Sequence, residues 1–214
     1  MNQALFSRTN IALWIAIALA TAAGYVLVPA GEALPIHWGP SGQPDAFWPR
    51  DAALLVLPVL GFAVTLLFFM LGKFAPQAQL QASRHAWRTV VPALTGLFLL
   101  LQGGIVLIGL GYPDQMVRVI CIGLGAMLIL LGNIMPKTQP NGLAGIRLPW
   151  LADAAAWRST QRLGGIMFMS GGAVLLVSTL LVADPILLFG VLAACLAVPL
   201  IVTTLYSYGL VRRG

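Results

Sequence analysis

Apolar and polar positions fall along this chain in long blocks. Six nearly uninterrupted apolar runs occupy residues 11–28, 52–71, 90–110, 119–135, 165–182 and 186–206, with almost all the charge between them. A helix of about 20 apolar residues crosses a hydrocarbon core of about 30 Å, and most of these runs reach or approach that length. Each run therefore predicts a membrane-spanning helix. The expected fold is all-α: one polytopic membrane domain over residues 1–214 with six transmembrane helices. The first run follows Arg8 but exceeds the roughly 7–15 residues of a signal-peptide core, so it is read as a span.

The charge between the runs orients them. With the N-terminus placed in the cytoplasm, the inward segments carry Arg8, Lys73, Arg84, Arg88, Lys137, Arg147, Arg158, Arg162, Arg212 and Arg213. The outward segments carry only Arg50 and Arg118. An excess of Lys and Arg in short cytoplasmic connections sets the orientation of such proteins. The acids run the other way: Glu32, Asp45, Asp51, Asp114 and Asp184 lie outward and Asp153 alone inward. The N-terminus and C-terminus are both expected to be cytoplasmic.

Composition agrees, since 59% of the chain is hydrophobic and only 8% is charged, too little to clothe a soluble globule of 214 residues. The net charge of +6 gathers on the inward side. Anionic membrane lipid is accordingly the expected partner there, and direct nucleic-acid binding is not expected. No Asp, Glu, Lys, Arg or His lies well inside a run. Buried ionisable residues mark proton relays and coupled transport, so their absence argues against a pump or secondary transporter. Gln102, beside Gly103 and Gly104, reads as a helix–helix adhesive. Cys121 and Cys195 fall inside runs and read as small apolar residues, with a disulfide between them left open and no metal-ligand spacing. No metal and no cofactor are expected.

Two connections are long enough to carry function. The outer one, residues 29–50, contains Leu34-Pro35-Ile36-His37-Trp38 and then Gly42-Gln43-Pro44-Asp45. Its prolines and glycines predict a backbone held in specific turns. Trp38, Phe47 and Trp48 suit the outer membrane interface, and His37, Trp38 and Asp45 are the candidate ligand-binding residues of a small cap. The inner one, residues 136–163, is rich in Pro, Gly and Asn up to Trp150. Beyond it Asp153 is placed to cap a short interfacial helix over 154–163, with Arg158 and Arg162 on one face and Trp157 and Gln161 on the next. Trp150 and Trp157 would sit among headgroups while the arginines meet phosphates. Asn141, Arg147, Trp150, Trp157, Arg158 and Arg162 are the candidate partner-binding or lipid-binding residues. A faint echo links Ala86-Trp87-Arg88-Thr89 to Ala156-Trp157-Arg158-Ser159-Thr160.

These loops resemble a bacterial pattern. The outer stretch is similar to a short N-terminal domain of unknown function found in a wide set of membrane proteins. The inner stretch resembles the hallmark of the SdpI family, carried here by Gly132-Asn133, Met135-Pro136-Lys137, Pro140-Asn141, Gly145-Ile146-Arg147 and Pro149-Trp150. Trp157, Thr160, Arg162 and Gly164-Gly165 complete it. The resemblance implies a multi-pass protein of the bacterial cytoplasmic (inner) membrane. It further implies immunity to a secreted peptide toxin and retention of a cytoplasmic repressor at the membrane when toxin is present.

The function expected from residues and resemblance together is a non-enzymatic membrane immunity or sensor protein. The alternative is a membrane enzyme or transporter acting on lipid or cell-envelope substrates. For an enzyme, Arg147, Arg158 and Arg162 would bind phosphate and His85 would serve acid–base chemistry. No Ser-His-Asp or paired-carboxylate constellation supports it.

Overall fold

A computed structural model describes residues 2–39, 41–113, 116–151 and 153–213. A short helix α1 (Asn2–Leu5) leads into α2 (Arg8–Leu27), which is followed by strands β1 (Ala33–Trp38) and β2 (Pro44–Pro49). Then come α3 (Arg50–Phe74), a short α4 (Gln77–Ala82), α5 (Arg84–Gly109) and α6 (Met116–Ile134), the last prolonged by a 3-10 turn at Met135–Lys137. The chain ends in α7 (Ala154–Leu181) and α8 (Pro185–Arg213). Among the described residues, six helices (α2, α3, α5, α6, α7 and α8) are long and apolar enough to cross a membrane. The six expected spans are thus present. Asp114, counted in the charge pattern, and Pro40, within the outer motif, lie outside the described residues.

Six alternating crossings sort the connections. The β-hairpin, the α5–α6 turn and the α7–α8 turn gather at one end, here the hairpin end. Both termini, the α3–α4–α5 elbow and the α6–α7 loop gather at the other, the termini end. In the packing, α5 lies against α2 and α3 on one side and α6 on the other, and α7 lies between α6 and α8.

Several helices outrun their apolar segments. The 28 residues of α7 span about 42 Å at 1.5 Å per residue, more than a hydrocarbon core. This corrects one expectation. Residues 154–163 are not a separate interfacial helix but the first turns of α7, continuous through Gly164 and Gly165. Those glycines do not break the helix, because α6 packs directly on them. A Cβ on Gly165 would stand 2.6 Å from the Gly132 carbonyl oxygen, and one on Gly172 would stand 2.5 Å from that of Gly125. Close backbone approach through small residues holds membrane helices together where burial from water contributes little.

Polar ties reinforce the other seams. Gln102, 0% exposed, donates from Nε2 to the Thr21 hydroxyl and the Leu54 carbonyl, both at 3.0 Å. It thereby joins α5 to α2 and α3, the adhesive role its glycine neighbours suggest. Asn10, buried on α2 and unnoticed in the sequence, accepts from Thr95 Oγ1 of α5 at 2.7 Å and donates to the Leu5 carbonyl at 2.9 Å. Cys121 and Cys195 are free thiols within one apolar cluster with Leu175 and Leu188.

Candidate functional site

At the hairpin end, β1 and β2 pair antiparallel in a two-stranded sheet. The Pro- and Gly-rich loop is therefore ordered, as its composition implies, but as a hairpin that its prolines concealed. Leu34 anchors it by packing into the cluster of Val28, Ala53, Leu54, Ile105 and Met116. At the tip Gly42 takes φ +77°, which only glycine adopts easily, and lies so near Pro185 that a Cβ would meet the ring at 2.7 Å. The hairpin thus rests on the start of α8.

The structure brings His37 and Asp45 together. Nδ1 of His37 lies 2.6 Å from Asp45 Oδ1, with side chains 68% and 52% exposed. The carboxylate engages Nδ1 of an imidazole that is otherwise largely exposed, an arrangement suited to hydrogen-bonding a ligand through the other ring nitrogen. Trp38 is half-buried and packs against apolar clusters on both sides of the bundle. With Gly42, Pro113, Arg118 and Pro185 it lines a cavity of about 460 Å³ under the hairpin tip. Phe47 and Trp48 are exposed, as an interfacial position requires.

Both basic residues of this end are held by helix C-termini. Arg50 donates to the carbonyls of Val28 at 2.7 Å and Tyr25 at 3.4 Å, and its guanidinium also pairs with Asp51. Arg118 donates to Thr179 O at 2.5 Å and Val182 O at 3.2 Å, at the end of α7. Unpaired carbonyls and the negative end of the helix dipole favour a cation there.

At the termini end the α6–α7 loop is folded upon itself and onto α7. Asn141 organises it: Oδ1 accepts from the backbone N–H groups of Leu143 and Ala144 at 2.8 and 2.7 Å, and Nδ2 donates to Gln139 O at 2.6 Å. Arg147 donates back to the Gly142 carbonyl. Trp150 donates to Ser207 Oγ of α8 at 3.1 Å and meets the Tyr208 ring edge-on. Trp157 is only 4% exposed and donates from Nε1 to the Thr138 carbonyl at 3.1 Å. It is withdrawn from the headgroup layer, because α7 turns that face toward the loop. Trp87, its echo on α5, is likewise buried and donates to Ser83 Oγ at 2.9 Å.

Of the six inner candidates, only Arg158 and Arg162 are exposed without an internal bond among the described residues. Asp153 caps α7, its Oδ2 accepting from Ala155 and Ala156 N–H at 2.8 Å each. Chiefly the Ala156 N–H, helped by Ala155, Ala154 and the charge of Arg158, holds its carboxyl below the usual value against an opposing desolvation. His85, weighed with Arg147, Arg158 and Arg162 for an enzyme, lies instead in a cavity with Arg84 and Lys137.

Sequence reading missed the role of Gln161, which is fully buried and bonds the Ile146 backbone in both directions. The signal was its position one turn after Trp157, a polar residue on a face that the loop must cover. No group of three or more His, Cys, Asp or Glu able to hold a metal occurs among the described residues.

Residues 137–207, the loop with α7 and most of α8, match the model of the SdpI/YfhL protein family. Over 178 residues, 83% of each chain, the protein is 29% identical to Immunity protein SdpI of Bacillus subtilis (strain 168). No solved structure matches. The matched region begins at the self-bonded loop, and the similarity to that relative runs along most of the six spans, so this multi-pass membrane protein resembles the SdpI/YfhL family.

Proposed function

We propose that the chain is a non-enzymatic immunity protein of the bacterial inner membrane, protecting the cell against a secreted antimicrobial peptide. The observation that carries this reading is its similarity to Immunity protein SdpI over 83% of both chains. The charge pattern supports an orientation with both termini cytoplasmic and the hairpin outside. In that orientation the exposed His37–Asp45 pair and Trp38 meet the peptide at the outer surface. The self-bonded loop keeps the inner end in register, while Arg158 and Arg162 offer two cations, four residues apart on one helix face, to anionic lipid or to a cytoplasmic repressor. Relay of toxin presence from hairpin to loop would require two states of the bundle that the peptide binds unequally.

The test is survival of a sensitive bacterium expressing the chain when challenged with membrane-active peptides. Wild type is expected to protect. His37→Ala and Asp45→Ala, at matched abundance in the membrane, are expected to weaken that protection. Unchanged survival of both variants would remove the pair from the mechanism, and failure of the wild type against every peptide would overturn the immunity reading.

A further inference from the structure

We propose that the termini end holds a binding site for a phosphoryl group, carried on an anionic phospholipid or free in solution, formed by Arg84, His85 and Lys137. These three line one cavity of about 490 Å³ together with Gln81 and Gln139. They reach it from different elements, Arg84 and His85 at the start of α5 and Lys137 at the end of the 3-10 turn after α6.

The walls are built rather than fortuitous. Gln79 of α4 accepts from the Gly142 N–H, which ties the helix that carries Gln81 to the loop that carries Gln139. Ser83 donates to Gln79 O at 2.6 Å and accepts from Trp87, which fixes the junction of α4 and α5. Thr138, next to Lys137, donates to Met135 O at 2.7 Å.

Charge makes the cavity selective. Among the described residues, no carboxylate lines it. The acid of this end, Asp153, is engaged by backbone N–H groups at the start of α7. Lys137 Nζ donates one hydrogen bond to Asn133 Oδ1 at 3.3 Å, which leaves two N–H groups for a ligand, whereas the arginines of the hairpin end are engaged by helix carbonyls. Arg and Lys bind phosphoryl oxygens through charge-assisted hydrogen bonds, and the two glutamine amides add neutral donors.

A second cavity of about 370 Å³ adjoins the first along the chain. Ala86 and Thr138, the residues that follow His85 and Lys137, line it, with Trp87, Met135, Phe68 and Val90 beyond. A charged chamber beside an apolar one matches a phospholipid, headgroup in the first and acyl chain in the second. Basic pockets at the ends of membrane helices bind anionic headgroups in this way.

The experiment compares purified wild type with Arg84→Gln/Lys137→Gln and with Lys73→Gln/Arg212→Gln, which removes equal charge from the same end. Binding of phosphatidylglycerol and of phosphatidylcholine is read by native mass spectrometry, and binding of inorganic phosphate by thermal shift. Wild type is expected to prefer phosphatidylglycerol. The Arg84/Lys137 variant should bind it about thirty-fold more weakly, since each surface cation contributes about 1 kcal/mol, and the charge-matched variant should bind as wild type does. Arg84→Lys/Lys137→Arg should restore binding, which separates lost charge from a lost fold. Saturable stabilisation by phosphate would assign the site to the phosphoryl group itself; preference for the lipid alone would assign it to the headgroup with its chain. Equal lipid binding by wild type and the Arg84/Lys137 variant, or equal loss in the charge-matched variant, would overturn the site, as would binding of neither probe.

Discussion

The side chain of Gln161 and the backbone of Ile146 hold each other in both directions: Nε2 donates to the Ile146 carbonyl at 2.7 Å, and the Ile146 N–H donates to Oε1 at 3.1 Å. One helix residue thus supplies the partner that a neighbouring strand would otherwise provide. Gly145 makes this approach feasible, with φ +96° and no Cβ, since one would lie 2.9 Å from Oε1. The loop at the start of the stretch that matches the SdpI/YfhL model is in effect docked on α7 by an amide.

Gln161→Leu should therefore loosen the loop more than the bundle. It leaves two backbone groups of Ile146 without partners, at about 1–3 kcal/mol for each that stays buried. Amide exchange across residues 142–150 is expected to accelerate at least about tenfold, while α2 and α3 keep their protection. Unchanged exchange at Ile146 would show that the loop is held elsewhere.

Arg118 and Arg50 are exceptions to the charge bias, and each is bonded to a helix C-terminus. Arg118→Ala should cost about 1–2 kcal/mol of stability, read as a lower thermal midpoint in detergent, because it uncovers Thr179 and Val182 carbonyls and removes a cation from the helix dipole. Arg118→Lys should recover only part of that loss, lacking the fork that reaches both oxygens. A midpoint unchanged by Arg118→Ala would show that the contact contributes nothing.

Asp153 gives a pH dependence with a definite sign. Its carboxyl is held below its ordinary 3.8 in the folded protein. The stabilisation is accordingly complete above that value and disappears as pH falls through the lower folded one. Asp153→Ala should unfold at a lower temperature than wild type at pH 7, and the gap should close on acidification below the carboxylate range. Hydrogen-exchange protection of Ala155 and Ala156 should fall in the variant. A gap constant with pH would mean that the effect is not the carboxylate's.

Much of this organisation is legible in the sequence, and the rest fails for identifiable reasons. Apolar length alone locates the six spans, because hydrocarbon accepts few alternatives to a helix. Asp153 as a cap and Gln102 as an adhesive follow from local chemistry. The β-hairpin was hidden because Pro35, Pro44 and Pro49 lack the N–H groups a ladder uses, and register shifts lie around His37. Trp157 was misplaced because tryptophan in a polar flank suits both an interface and a loop contact, and only the fold of residues 138–150 decides. The pairing of Arg84 with Lys137 is not local at all, as it depends on how the α4–α5 elbow meets the end of α6.

The α6–α7 seam supplies the sharpest contrast of sign. Gly125 and Gly132 on α6 face Gly172 and Gly165 on α7 in antiparallel order, and a Cβ on Gly132 would lie 2.5 Å from the Gly165 carbonyl oxygen. The obstacle is backbone on a packed helix, so no side-chain rotation relieves it. Gly132→Ala and Gly165→Ala should each destabilise the protein, by about 1–3 kcal/mol as in other overpacked interiors. Gly96 and Gly103 of α5 have open space where a Cβ would go. There alanine should be neutral or stabilising, by up to about 1 kcal/mol, through its greater helix propensity. Thermal unfolding of the four variants in one detergent decides the matter. If Gly132→Ala is tolerated as well as Gly103→Ala, the two helices are not held by close backbone contact, and the seam beneath the α6–α7 loop must rest on its side chains instead.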